Sequence, residues 1–276
     1  MKKAKKYIKE ILDILNKKEM RVLPGNIAFF FMLAFIPIVI MIIYIASYFS
    51  ISVDTINHMI RILLPEESAK AVVDIISGKS LDSHMGLFNL IAFIVATNGT
   101  YSIITASNAL YNVGKSDALR DRVKSVWLFL IMLVLMLFII TVPVFGDKLL
   151  LLGGKFKIFN NISDSLVGFF NIIKWPLSIF IIYFNVKLVY IIAPAVEVKS
   201  GDTTKGAIFT TVGWTIATFI FSFYLKYFAH YDILYGNLSS IIILMMWLYM
   251  IAYIFVLGLA INTKNIKKGI GWKYEK

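Results

Sequence analysis

Three histidines, sixteen acidic residues and no cysteine bound the chemistry open to this chain. His58, His84 and His230 show no H-x-x-x-H spacing, and neither G-x-G-x-x-G nor G-x-x-x-x-G-K-[ST] occurs. Without cysteine there is no thiol nucleophile, thiolate zinc site or disulfide. Metal-assisted hydrolysis needs clustered carboxylates or imidazoles, and here the acids are scattered. The expectation is therefore a protein that is not an enzyme, with no cofactor and no metal.

What remains is a set of polar groups inside apolar runs, where they are costly and so are candidates for function. Asn98, Tyr101, Ser102, Thr105, Asn108 and Asn112 fall within a sector of about 120° at helical spacing. They form either an interhelical hydrogen-bonding face, typically about 0.6 kcal/mol per contact, or a polar path for a substrate. Thr211, Thr215, Thr218 and Ser222 share one face of a later helix, which reads as close packing by small hydroxyl residues. Lys187 lies seven residues before Pro194, about 10 Å along a helix. It either snorkels to an interface or contacts an anion, with Tyr183 and Tyr190 on its face. Tyr231, Tyr235, Gly236 and Asn237 read as a tight turn at the outer interface, where tyrosines concentrate.

The elements that position these residues are long and apolar. Hydrophobic residues make up 59% of the 276 residues and charged ones 16%, against about 25% charged in a soluble domain. Six apolar stretches, at 22–53, 85–114, 125–146, 175–194, 206–225 and 233–263, are each long enough for the roughly 20 helical residues of a bilayer crossing. Backbone groups must be satisfied internally there, so the spans are expected to be helices. The fold expected is all-α, a polytopic membrane protein with six transmembrane helices. Segment 1–21 is a basic tail, 22–263 the membrane domain and 264–276 a second basic tail. The third stretch is featureless and is expected to face lipid.

Charge sets the orientation. Twenty of the 28 Lys and Arg residues lie on one set of alternating segments and eight on the other. The positive-inside rule then puts both termini in the cytoplasm of a bacterial cell, the chain lying in its plasma membrane. The net charge of +12 is accordingly assigned to anionic inner-leaflet lipid rather than nucleic acid. The partners expected are the bilayer and that lipid, with a homo-oligomer allowed. The N-terminal segment does not read as a cleaved signal peptide. Ile8, Ile11, Leu12 and Leu15 follow helical spacing, as either a helix lying on the inner leaflet or a plain basic anchor. The first external loop, about 31 residues long, carries two helical stripes, one through Ile56, Met59, Ile60 and Leu63 and one through Ala69, Val72, Val73 and Ile76. Two amphipathic helices are expected to cap the outer face.

The C-terminal third carries Gly206, Trp214, Phe221, Tyr224 and Tyr231, then Tyr235-Gly236-Asn237-Leu238, Trp247-Leu248-Tyr249, Gly258 and Asn262. The first span adds Ala28-Phe29-Phe30 and Phe35-Ile36-Pro37, and the second ends in Asn108-Ala109-Leu110-Tyr111, followed by Arg120 and Arg122. This pattern resembles the YihY/BrkB family of bacterial inner-membrane proteins over most of the chain. The resemblance implies six spans and an inside N-terminus. It also brings an old ribonuclease label, an association with virulence or serum resistance, and a suggested transport of lipid-like molecules. Members often carry an acid in a Gly-Ala-Glu-Leu-Asn stretch of the last span. Here the stretch reads Gly258-Leu259-Ala260-Ile261-Asn262, which puts any mechanism using that carboxylate in doubt.

The function expected is a transporter or flippase of an amphiphilic or anionic substrate. The alternative is a non-catalytic membrane scaffold or lipid-binding protein, and a third reading is an intramembrane enzyme. Ribonuclease activity is not expected. A water-filled cavity would favour transport, a solid bundle the scaffold, and converging carboxylates the enzyme.

Overall fold

A computed structural model describes residues 15–16, 18–48, 61, 85–114, 116–153, 163–227 and 235–269. Among them there is no strand. Six long helices follow in order: α1 (Lys18–Tyr48), α2 (Met85–Leu110), α3 (Ala118–Gly153), α4 (Ser163–Ile192), α5 (Ser200–Tyr227) and α6 (Ser239–Gly269), the last preceded by a 3-10 turn, Gly236–Leu238. The expected loop helices, the N-terminal stripe through Leu12 and the residue Tyr231 lie outside the described residues.

Helix ends follow local chemistry rather than the limits of the apolar runs. The Asp117 carboxylate accepts the Leu119 N–H at 3.0 Å and so caps α3. The helix therefore starts seven residues before the third apolar stretch and carries Arg120, Asp121, Arg122 and Lys124 on its first turns. Asn112, at φ 51°, ends α2 in the left-handed conformation, with the Val113 N–H returning to the Asn108 carbonyl at 2.9 Å. Asn112 is thus a cap and lies beyond the helical face. α4 ends two residues short of Pro194, whose ring disfavours helix in the residue before it.

Each helix packs against its neighbours in the chain, and α6 returns to pack against α1, so the six form a closed ring. One buried cluster gathers Met20 and Leu23 at the start of α1, Leu110 and Tyr111 at the end of α2, Tyr190 and Ala193 at the end of α4, Ala207 early in α5, and Leu259 and Ala260 late in α6. The described chain therefore begins and ends at the same end of the bundle, the one carrying Arg21, Arg120, Lys124, Lys199 and Lys205.

The outward faces are apolar. On α5, Ile208, Val212, Ile216, Phe219 and Phe223 are exposed at helical spacing, Phe219 by 74%. A stripe of that kind would be an aggregation site in water and suits hydrocarbon. By length and apolarity of the described residues, Ser200–Tyr227 and Ile241–Thr263 can cross a membrane, and Pro176–Ile192 is a shorter apolar helix. α3 has two faces: Leu128, Phe129 and Leu133 are buried, while Trp127 and Val134 are exposed. Over residues 118–135, only one side of it can meet lipid.

Candidate functional site

At the basic end, the Asn108 side chain joins three elements. Its amide donates to Asp121 Oδ2 of α3 at 3.1 Å, and its oxygen accepts the Ala195 N–H of the α4–α5 connection at 2.8 Å. Both side chains are buried. Lys124 Nζ donates to the Pro194 carbonyl at 2.8 Å and to that of Ala193 at 3.4 Å, a cation at the negative end of α4. The Tyr111 hydroxyl is buried close by with no hydrogen-bond partner among the described residues.

Farther along α2, Asn98 Oδ1 accepts from Arg122 Nη1 at 2.7 Å, and the guanidinium lies 5.8 Å from the centre of the Tyr101 ring. The Thr105 hydroxyl is exposed and donates back to the Tyr101 carbonyl at 3.0 Å, while Ser102 is buried and donates to the Gly99 carbonyl at 2.6 Å. Asn98, Tyr101 and Arg122 thus come together, and Asn108 joins a separate cluster nearer the basic end. Sequence reasoning missed the contacts of Asp121, Arg122 and Lys124: the two basic residues read as topology-setting charges, and Arg122 also as part of the family pattern. The signal available was their spacing directly after a capping Asp-x-Leu.

A third polar cluster sits where α4, α5 and α6 meet. The Tyr190 hydroxyl donates to the Phe255 carbonyl at 2.7 Å and lies 2.7 Å from Thr210 Oγ1. Gly206 N–H donates to Asn262 Oδ1 at 2.8 Å. A Cβ on Gly206 would collide with the Gly258 carbonyl, and one on Gly258 with Thr210 Oγ1. These glycines let α5 and α6 cross at backbone contact. The face they make is Thr203, Gly206, Ala207, Thr210 and Thr211. Of the hydroxyl stripe read from spacing, Thr211 is buried, Thr218 accepts from Trp247 Nε1 at 3.4 Å, and Thr215 and Ser222 are exposed. Lys187 is half-buried with its ammonium 5.8 Å from the Tyr183 ring centre, while Tyr190 turns into the core. Tyr235 is exposed, Gly236 adopts φ 51°, and Asn237 lies within the short 3-10 turn.

A cavity of about 170 Å³ lies in the middle of the ring, between α1, α2, α3, α4 and α5. Phe31, Ala34, Ala96, Gly99, Phe129 and Trp214 contribute to its mainly apolar wall. Trp214 Nε1 is committed to the Ile251 carbonyl at 2.9 Å, and Thr100 Oγ1 to Ser125 and Thr97 carbonyls. Asn185 also lines the cavity and has no hydrogen-bond partner among the described residues. The cavity touches the face of α2 opposite Asn98 and Tyr101. Among the described residues, no three His, Asp or Glu side chains come together as a metal site would require.

The chain is 29% identical over 262 residues to the ribonuclease-like protein YfkH of Bacillus subtilis (strain 168), covering 93% of this chain and 94% of that one. It is 32% identical over 134 residues to a UPF0761 membrane protein of Coxiella burnetii, covering 45% and 46% of the two chains. A UPF0761 membrane protein of Glaesserella parasuis serovar 5 is 26% identical over 175 residues, or 63% of this chain and 59% of the relative. No solved structure matches the chain. The family model described as virulence factor BrkB matches residues 11–269, and this membrane protein belongs to that family.

Proposed function

We propose that the protein is a transporter or flippase of an amphiphile, with six spans and both termini in the cytoplasm of a bacterial cell. The observation that carries this reading is the cavity at the centre of the helix ring, which is apolar rather than the water-filled one expected and so would suit an acyl chain instead of a polar solute. A cavity of about 170 Å³ is smaller than the roughly 300–1,000 Å³ of a site that encloses a whole ligand. It is close to the size of apolar cavities that stay dry and take a benzene-sized guest. It would receive part of an acyl chain, with Asn185 as the one uncommitted amide beside it among the described residues. The reading includes no catalytic step and no RNA contact.

The alternative is a lipid-binding scaffold, favoured by the basic end, where Asn108, Asp121, Ala195 and Lys124 tie three elements together. A transporter must open that end in its cycle. Proteoliposomes carrying a phospholipid with a fluorescent acyl chain separate the two. Transport predicts label movement faster than in protein-free vesicles. Ala96→Phe, which fills the cavity, should slow it at least about tenfold while the protein still folds. Label retained by the protein without crossing the bilayer would leave the scaffold. Unchanged crossing in Ala96→Phe would remove the cavity from the path.

A further inference from the structure

Arg122 has an unusual set of partners. Nη1 donates to Asn98 Oδ1 at 2.7 Å, Nη2 to the Ile94 carbonyl at 3.2 Å, and the face lies 5.8 Å from the Tyr101 ring centre. All three partners are neutral. The acid beside it in the chain, Asp121, is turned to Asn108. Among the described residues no carboxylate pairs with the guanidinium.

The groups left over are all donors. A guanidinium has five N–H groups, and Asn98 and Ile94 account for two. Asn98 spends its oxygen on Arg122, so its free end is the NH2 group. The Tyr101 hydroxyl has no partner among the described residues. A half-exposed constellation with a positive charge, spare donors and no acid is the complement of an anion.

The surroundings select the kind of anion. Ile94 and Ile91 lie one and two turns along α2 from Asn98, away from the basic end, and are exposed by 49% and 52%. Trp127 and Val134, each 64% exposed, lie farther along α3 but about 120–140° around it from Arg122, so the apolar strip beside the donors is that of α2. The donors thus sit at the foot of an apolar strip on the outside of the ring.

We infer that this outer face of α2, with Arg122 of α3 laid against it, binds an anionic phospholipid. Its phosphate is held by Arg122, Asn98 and Tyr101, and its chain runs over Ile94 and Ile91. The site is independent of the central cavity, which touches the opposite face of α2, so it stands or falls without the transport reading.

The test uses the purified full-length chain equilibrated with equal amounts of phosphatidylglycerol and phosphatidylcholine. Retained lipid is read by native mass spectrometry as the ratio of the two. The wild type should prefer phosphatidylglycerol. Arg122→Gln should lower the preference at least about tenfold, the equivalent of one charge-assisted hydrogen bond. Arg122→Lys should keep part of it, because an ammonium supplies charge without the fork. Arg120→Gln, an exposed charge two residues away, should leave it unchanged. A ratio, unlike a yield, does not fall simply because less protein folds. Equal loss in Arg120→Gln and Arg122→Gln would reduce the effect to general surface charge and overturn the proposal. So would a wild type with no preference, and so would displacement of the lipid by millimolar inorganic phosphate, which would assign the donors to a soluble anion.

Discussion

Replacing Asn108 by leucine tests whether the polar face of α2 is a strut or a conduit. The side chain is 7% exposed and the Asp121 it binds is 6% exposed. Leucine removes the donor to Asp121 Oδ2 and the acceptor of the Ala195 N–H. A hydrogen bond to a charged group contributes about 1.5–3 kcal/mol and a neutral one about 1 kcal/mol. Contacts between helices deep in a membrane average only about 0.6 kcal/mol. Asn108 serves a helix start and a connection, where the first scale applies. The leucine adds apolar contact that offsets part of the loss, so the expected net cost is about 2–3 kcal/mol. Reversible unfolding in detergent–lipid mixtures measures it. A double-mutant cycle with Asp121→Asn isolates the pair, and the double variant should cost clearly less than the two singles added. Surviving folded Asn108→Leu protein should keep whatever lipid movement the wild type shows. A stability change under about 0.5 kcal/mol, together with lost activity, would refute the strut and make Asn108 part of a path.

Gly258→Ala should destabilise the protein by at least about 1–3 kcal/mol, because the new methyl meets Thr210 Oγ1 and the Tyr190 hydroxyl. Gly25→Ala, whose Cβ would approach nothing closer than 3.9 Å, is the tolerated control in the same thermal-unfolding assay. Since the chain has no native cysteine, single cysteines report topology against a clean background. Asp117→Cys and Lys199→Cys should resist an impermeant external thiol reagent and Lys70→Cys should react, with labelling at 117 from outside reversing the orientation. Purified protein should not cleave RNA, and cleavage that co-purifies and vanishes on one substitution in this chain would contradict the reading.

The apolar runs revealed the helices because charge is excluded from hydrocarbon over lengths much greater than one turn. They did not reveal where each helix starts, because Asp117 and Ser200 open helices within polar sequence. Angular arithmetic put Asn98 and Tyr101 on one face, where both meet Arg122. It is blind to a partner 24 residues on, so Arg122 passed for a topology-setting charge. Gly206, Gly258 and Asn262 were visible only as parts of a family pattern, and their close crossing gives that pattern its physical cause. The pairing of Tyr190 with Thr210 left no trace, since either residue alone reads as an ordinary apolar-helix polar group. The central cavity is invisible in the chain because it depends on Ala34, Ala96 and Gly99 leaving space that larger neighbours do not reach across.

The return of α6 to α1 gives assembly a definite last act. Every other helix finds its principal mates among its immediate predecessors, so the chain can pack hairpin by hairpin as it is made. The first helix must wait with its α6-facing side uncovered until α6 is made. Until then the growing protein is an open arc. Gly206 lacks the Asn262 oxygen, and Tyr190 lacks the Phe255 carbonyl. In that arc the sides of α1 and α5 that α6 covers lie open. Adding α6 then shuts that side through the Gly206–Gly258 contact. A chain stopped after Tyr227 should therefore persist as a recognisable late intermediate, bundled through its first five helices and open along one side to any sixth helix offered in trans.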